Sequence, residues 1–164
     1  MTRPMLAAPL LTLLAASSPV LALEAACDPI FKASAMKIAQ ARWHSVIDIK
    51  GAKMEAMKVD GQFFMRIDDG QWQRGPDLDH AETVMLEMMQ SGKAKVTNCQ
   101  DDGEETLEGL ATRITRYTIE IAGLPEPASN VTLQTSQDAG LPVRQSSDTT
   151  TIRYRYHDIV APEL

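Results

Sequence analysis

Between Trp43 and Ile49 apolar and polar positions alternate: Trp43, Ser45, Ile47 and Ile49 fall on one side, His44, Val46 and Asp48 on the other. A period of two describes a half-buried β-strand. Gly51 breaks the pattern, and residues 52–59 form a second candidate strand. Asp60-Gly61 is a pair suited to a two-residue hairpin turn. The third strand, Phe63 to Ile67, sets Phe63, Met65 and Ile67 on the face away from Phe64 and Arg66. Asp69-Gly70 predicts a second hairpin turn, after which Trp72 opens a short fourth strand that stops near Gly75-Pro76. Turns at this spacing predict an antiparallel meander.

Two stretches carry helical spacing instead. Over 28–41, Asp28 is the expected N-cap and Pro29 takes the first helical position. Ile30, Phe31, Ala35, Ile38 and Ala39 then form the apolar face. Over 78–91, Asp79 is the expected cap, Glu82 stands in capping-box position and Gly92 ends the helix. Ala81, Val84, Met85 and Met88 share one face, which Leu86 and Met89 widen beyond what a minimal core helix needs.

Strand character resumes at 94–99, and Asp101 to Glu105 is expected to form a polar, acidic turn. A long β-branched strand covers 111–121, and Pro125 and Pro127 mark a loop. Further strands are expected at 130–136, 142–147 and 149–157. In the last, Ile152, Tyr154 and Tyr156 oppose Arg153, Arg155 and His157. The expected class is α+β: an N-terminal helix and a mid-chain helix packed on about eight antiparallel strands.

The start of the chain changes the setting. Arg3 precedes an apolar stretch from Met5 to about Ala16, and Val20 and Ala22 supply small residues at −3 and −1 of a cleavage site. Residues 1–22 are therefore expected to be a cleavable secretory signal peptide, leaving 23–164 as one exported domain. Pro9 and Pro19 and the short apolar run argue against a membrane span. A lipoprotein acylated at Cys27 is the alternative, although Glu24 stands where that motif has a large aliphatic residue.

Removing the leader leaves fifteen basic and twenty-two acidic residues, a net charge of −7. That balance argues against nucleic acid and against anionic lipid headgroups as partners. In an oxidising compartment Cys27 and Cys99 are expected to pair in a disulfide; two free thiols are the alternative.

No enzyme constellation, phosphate-binding loop or metal-ligand spacing is present in the sequence, so neither catalysis nor a cofactor is expected. His44, His80 and His157 lack partners at ligand spacing, and the acidic run lacks the alternation of a calcium loop. The methionines are more informative. Met36 and Met65 read as core filling, whereas Met85, Met88 and Met89 read equally as core or as the lining of an adaptable apolar site.

Two stretches resemble the periplasmic lipoprotein-carrier family. One is Val59 to Trp72, VDGQFFMRIDDGQW. The other is Asn130 to Ile159, in which a strand meets Gly140-Leu141-Pro142 and then a tyrosine-bearing strand ending Tyr156-His157-Asp158-Ile159. The resemblance implies a curved antiparallel sheet, an unclosed β-barrel, lidded by helices over an apolar face. It also implies a periplasmic carrier of a hydrophobic ligand such as an acyl chain or lipid. The chain is shorter than the carriers themselves. By apolar character and facing, the expected lining is Phe63, Met65, Trp72, Met85, Met88 and Met89. The competing expectation is an envelope protein–protein interaction module with a filled core.

Overall fold

The computed structural model describes residues 25–123 and 128–164; the expected leader, its cleavage site and Pro125 and Pro127 lie outside them. A single 3-10 turn (Ala25–Cys27) leads into α1 (Asp28–Ile38). The meander follows as β1 (Arg42–Ile49), β2 (Ala52–Val59), β3 (Gln62–Ile67) and β4 (Gln73–Arg74), then α2 (Leu78–Gln90). The remaining strands are β5 (Ala94–Leu107), β6 (Leu110–Ile121), β7 (Ser129–Ser136), β8 (Pro142–Ser146) and β9 (Thr150–Arg155). They form one nine-stranded antiparallel sheet in the order β4-β3-β2-β1-β9-β8-β7-β6-β5, whose end strands do not pair with each other. The α+β class and the unclosed, curved sheet with two helices are therefore as expected, with nine strands rather than about eight.

Tight turns set the register. Lys50-Gly51, Asp60-Gly61 and Glu108-Gly109 all hold both residues at positive φ, the geometry whose twist matches that of a two-residue hairpin. The expected turn at Asp69-Gly70 differs. Asp68, not Gly70, has positive φ. Its N–H donates to the Lys53 carbonyl at 2.7 Å and its carboxylate accepts from the Lys53 N–H. Asp68 thereby closes the β2–β3 ladder, and a longer connection carries the chain through Trp72 to β4.

Three further expectations are corrected. Asp28 is the first residue of α1 and caps nothing; Cys27 occupies the N-cap without a side-chain bond. Asp77, not Asp79, caps α2, accepting from the His80 N–H at 2.9 Å. The run Asp101 to Glu105 is not a turn but the middle of β5. Register shifts between Thr97 and Gln100 and between Asp101 and Gly103 absorb its irregularity. Its carboxylates meet cross-strand arginines, Asp101 with Arg113 and Asp102 with Arg116. β5 is an edge strand, where charge discourages pairing with other chains.

Because side chains alternate along a strand, the sheet has two different faces. One is covered by α1 and α2. There Cys27, Ile30, Ala33, Cys99, Tyr117 and Leu133 pack as one cluster. The Cys27–Cys99 disulfide joins the start of α1 to β5, so Cys27 has no thiol left for acylation. On the opposite, open face Met57, Val59, Phe64 and Ile159 form a second cluster, with Trp72 against it.

The open face also holds a buried carboxylate. Glu55, 3% exposed, meets Arg66 at 2.7 Å, Lys53 at 2.8 Å and His44 Nε2 at 2.8 Å. Burial pushes its pKa up, but hydrogen bonds from Lys53, Arg66 and His44 outweigh burial and hold it at about 2, against a usual value of 4.5. A depressed carboxylate pKa stabilises the fold above the unfolded value, and that contribution is lost as pH falls through the folded one. Glu55 is thus expected to contribute up to about 3 kcal/mol at neutral pH, lost between roughly pH 5 and pH 2. In urea unfolding across that window, the stability gap between wild type and Glu55→Gln should close as pH falls. A gap independent of pH would refute the assignment.

Candidate functional site

Between the helices and the sheet lie two cavities. One, of about 260 Å³, is bounded by Ile30 and Ala33 of α1, Met89 of α2 and Tyr117, Ile119 and Leu133 of the sheet. The other, of about 320 Å³, is bounded by Leu78 and Ala81 of α2 and by Ile47, Met54, Ala56 and Met65 of β1, β2 and β3. Lys37, Glu82, Met85, Ile152 and Tyr154 border both. The arrangement is a pair of apolar lobes with a polar partition.

Strand order brings these residues together. β9 lies between β1 and β8, so Ile152 and Tyr154 stand at the middle of the sheet, with Met65 toward one edge and Tyr117 toward the other. α1 buries Ile30, Ala33 and Lys37, which are one helical face. Of the expected face, Ile30 is buried and Phe31 packs against the cluster, but Ala35 and Ala39 are exposed, so the buried stripe is rotated toward Ala33 and Lys37.

Lys37 is the residue that sequence reasoning missed, because a lysine on a short helix reads as solvated. It is 4% exposed. Its Nζ donates to Glu82 Oε1 of α2 and sits 4.1 Å from the Trp43 ring centroid and 5.2 Å from that of Tyr154. Cation–π attraction compensates part of the lost hydration. Burial pushes the ammonium below its usual pKa, while Glu82 and Asp79 pull it back up. Glu82 therefore serves this pair and not the expected capping box. A second lysine, Lys58 of β2, donates to the Ile38 carbonyl at the end of α1 at 3.0 Å and meets Asp79 of α2 at 2.5 Å. Both helices are thus tied to the sheet and to each other through two ammonium groups.

Of the expected lining residues, Met65, Met85 and Met89 border the lobes. Phe63 lies on the same face, its ring 6.5 Å from that of Trp43. Met88 is half-buried and borders neither lobe. Trp72 is on the other face, 6.2 Å from His44 and with the Arg66 guanidinium 4.8 Å from its ring centroid. The connection after Asp68 is too long to carry strand alternation across to Trp72, so its facing was not readable from β3.

Burial also pushes Tyr154 and Tyr156 above the usual phenol range and Tyr117 to about 12. These hydroxyls stay neutral, and that of Tyr156 donates to the Pro142 carbonyl at 2.7 Å. Among the described residues no group of three or more His, Cys, Asp or Glu is placed to hold a metal, and no helix is long and apolar enough to cross a membrane.

No protein-family model and no curated protein matches the chain. Among solved structures it is similar to the Mycobacterium tuberculosis lipoprotein LppX, with TM-score 0.55 and 16% identity over 85% of this chain and 98% of LppX. It is also similar to MucB, with TM-score 0.44 and 16% identity over 83% of this chain and 60% of MucB. For a Pseudomonas aeruginosa MucA/MucB complex the values are 0.43 and 14%, over 83% of this chain and 58% of the other. The likeness to LppX, which runs over most of both chains, is a likeness of fold.

Proposed function

We propose that residues 23–164 form a periplasmic binding or carrier domain that holds an acyl-chain-like ligand in the two lobes beneath α1 and α2. The observation that carries this reading is the pair of apolar lobes, about 260 and 320 Å³, under helices fastened by ion pairs. Binding sites for small ligands are mostly apolar with a few placed polar groups, and begin at roughly 300 Å³. Met65, Met85 and Met89 provide flexible, polarizable walls that adapt to chains of differing shape. An exported setting rests on the leader-like start, and LppX, whose fold the chain shares, is itself a lipoprotein.

The modest size of each lobe favours a second reading, a filled interaction module in the envelope. Native mass spectrometry of protein expressed with its leader separates the two. The carrier reading expects extra mass that leaves on denaturation. It also expects Met85→Asp, at the partition of both lobes, to lose binding of a fluorescent fatty acid by at least about tenfold while remaining folded. A bare polypeptide that ignores the fatty acid would instead support the interaction module.

A further inference from the structure

The open face of the sheet carries a feature that a ligand beneath the helices would not touch. Arg144 of β8 stands directly opposite Arg153 of β9, and Arg153 stands opposite Val46 of β1. Arg155, two residues along β9, points to the same face, opposite His44. Like charges on neighbouring strands repel, so this cluster costs stability unless something outside the fold offsets it.

Four arginines elsewhere on the sheet are met by carboxylates, Arg42 by Asp60, Arg66 by Glu55, Arg113 by Asp101 and Arg116 by Asp102, and Arg74 at the β4 edge donates to Gln62 at 3.3 Å. Among the described residues Arg144, Arg153 and Arg155 enter no such pair. Arg144 is half-buried, and its Nε is enclosed without a hydrogen-bond partner. The carboxylate in the same cross-strand row, Glu55, is already engaged by His44, Lys53 and Arg66. Three guanidiniums clustered on adjacent strands thus have no carboxylate partner among the described residues, in a chain whose acids outnumber its bases by six.

We propose that this arginine row is a docking surface for an extended acidic peptide segment of a partner protein. A guanidinium presents a planar fork that matches a carboxylate. Arg153 and Arg155 repeat at roughly 7 Å along β9, the repeat at which alternate residues of an extended peptide present their side chains. Arg144 widens the row by one strand spacing, about 5 Å. A peptide meets only this local positive field. An anionic bilayer would also face the acidic remainder of the chain, which screening over roughly 8 Å does not remove.

The test uses the full chain and a fluorescent peptide of alternating Glu and Ser, read by anisotropy. Binding is expected to weaken as salt rises. Arg153→Gln/Arg155→Gln, at two exposed positions, should weaken it by about tenfold or more. Lys93→Gln/Lys95→Gln, with the same change in net charge at the start of β5, should leave it unchanged. If the double variant fails to fold, Arg155→Gln alone should still lower affinity. No peptide binding, equal loss in the lysine control, or adsorption to phosphatidylglycerol vesicles in preference to the peptide would each overturn the proposal. Neither arginine borders the lobes, so fatty-acid binding by the double variant reports separately on the carrier reading.

Discussion

Removing the disulfide as Cys27→Ala/Cys99→Ala is expected to cost about 4 kcal/mol and to lower Tm by on the order of 15 °C. The bond spans 72 positions of sequence, and in the chain-entropy model a cross-link stabilises by restricting the unfolded chain over that length. It also acts locally. Cys27 and Cys99 lie in the cluster that seats the start of α1 against β5, β6 and β7. Without it, the first turns of α1 should open at a lower free energy than the sheet. Amide exchange of residues near Ile30 would then accelerate more than exchange in β1. An unchanged Tm would mean that the unfolded chain already keeps these ends close.

The second large effect is expected at the partition between the lobes. Glu82→Ala leaves the Lys37 ammonium buried with less compensation, and should destabilise by about 3 kcal/mol. Asp79, which also pulls the Lys37 pKa upward, keeps the cost toward the lower end for a broken buried pair. Replacing both members, as Lys37→Met/Glu82→Leu, should recover most of that loss, because an apolar pair of similar volume removes the desolvation penalty as well as the attraction. A double-mutant cycle by urea unfolding separates the two. If Glu82→Ala is as stable as wild type, the lysine stem must be able to carry its charge out to water.

Much of the fold was readable because local signals agreed. In β1, β2 and β3 alternation and the Asp60-Gly61 turn point to the same register, and β6 to β9 appear close to their expected bounds. The departures have physical causes. In β5, Asn98 and Gly103 take positive φ, and the resulting bulges hide a strand inside an acidic run. At α2, Asp77 and Asp79 are both good caps, and only the backbone decides between them. For the site, Met85 and the facing of Met65 were legible, but the expected helix face joined Met85 to Met88, whereas the face bordering the lobes carries Met85 and Met89. Their meeting with Tyr117, Leu133 and Tyr154 depends on strand order, which local sequence does not encode. Lys37 was invisible for a different reason. Its burial depends on Trp43, Tyr154 and Glu82 arriving from three other elements.

The position of β9 has a consequence for how such a chain can be made. Among the described strands it is the one that links the β1–β4 half to the β5–β8 half of the sheet, and its ladder with β1 joins positions about a hundred residues apart, such as Ile47 and Ile152. Closing so long a loop is slow. Until residues 150–155 emerge, β1 and β8 each present an open row of backbone donors and acceptors, a template for pairing with another molecule. A product truncated before Thr150 would hold two four-stranded pieces with no strand ladder between them and should aggregate, however sound each hairpin is. Synthesis delivers last, among the described strands, the one that assembly of the whole sheet must await.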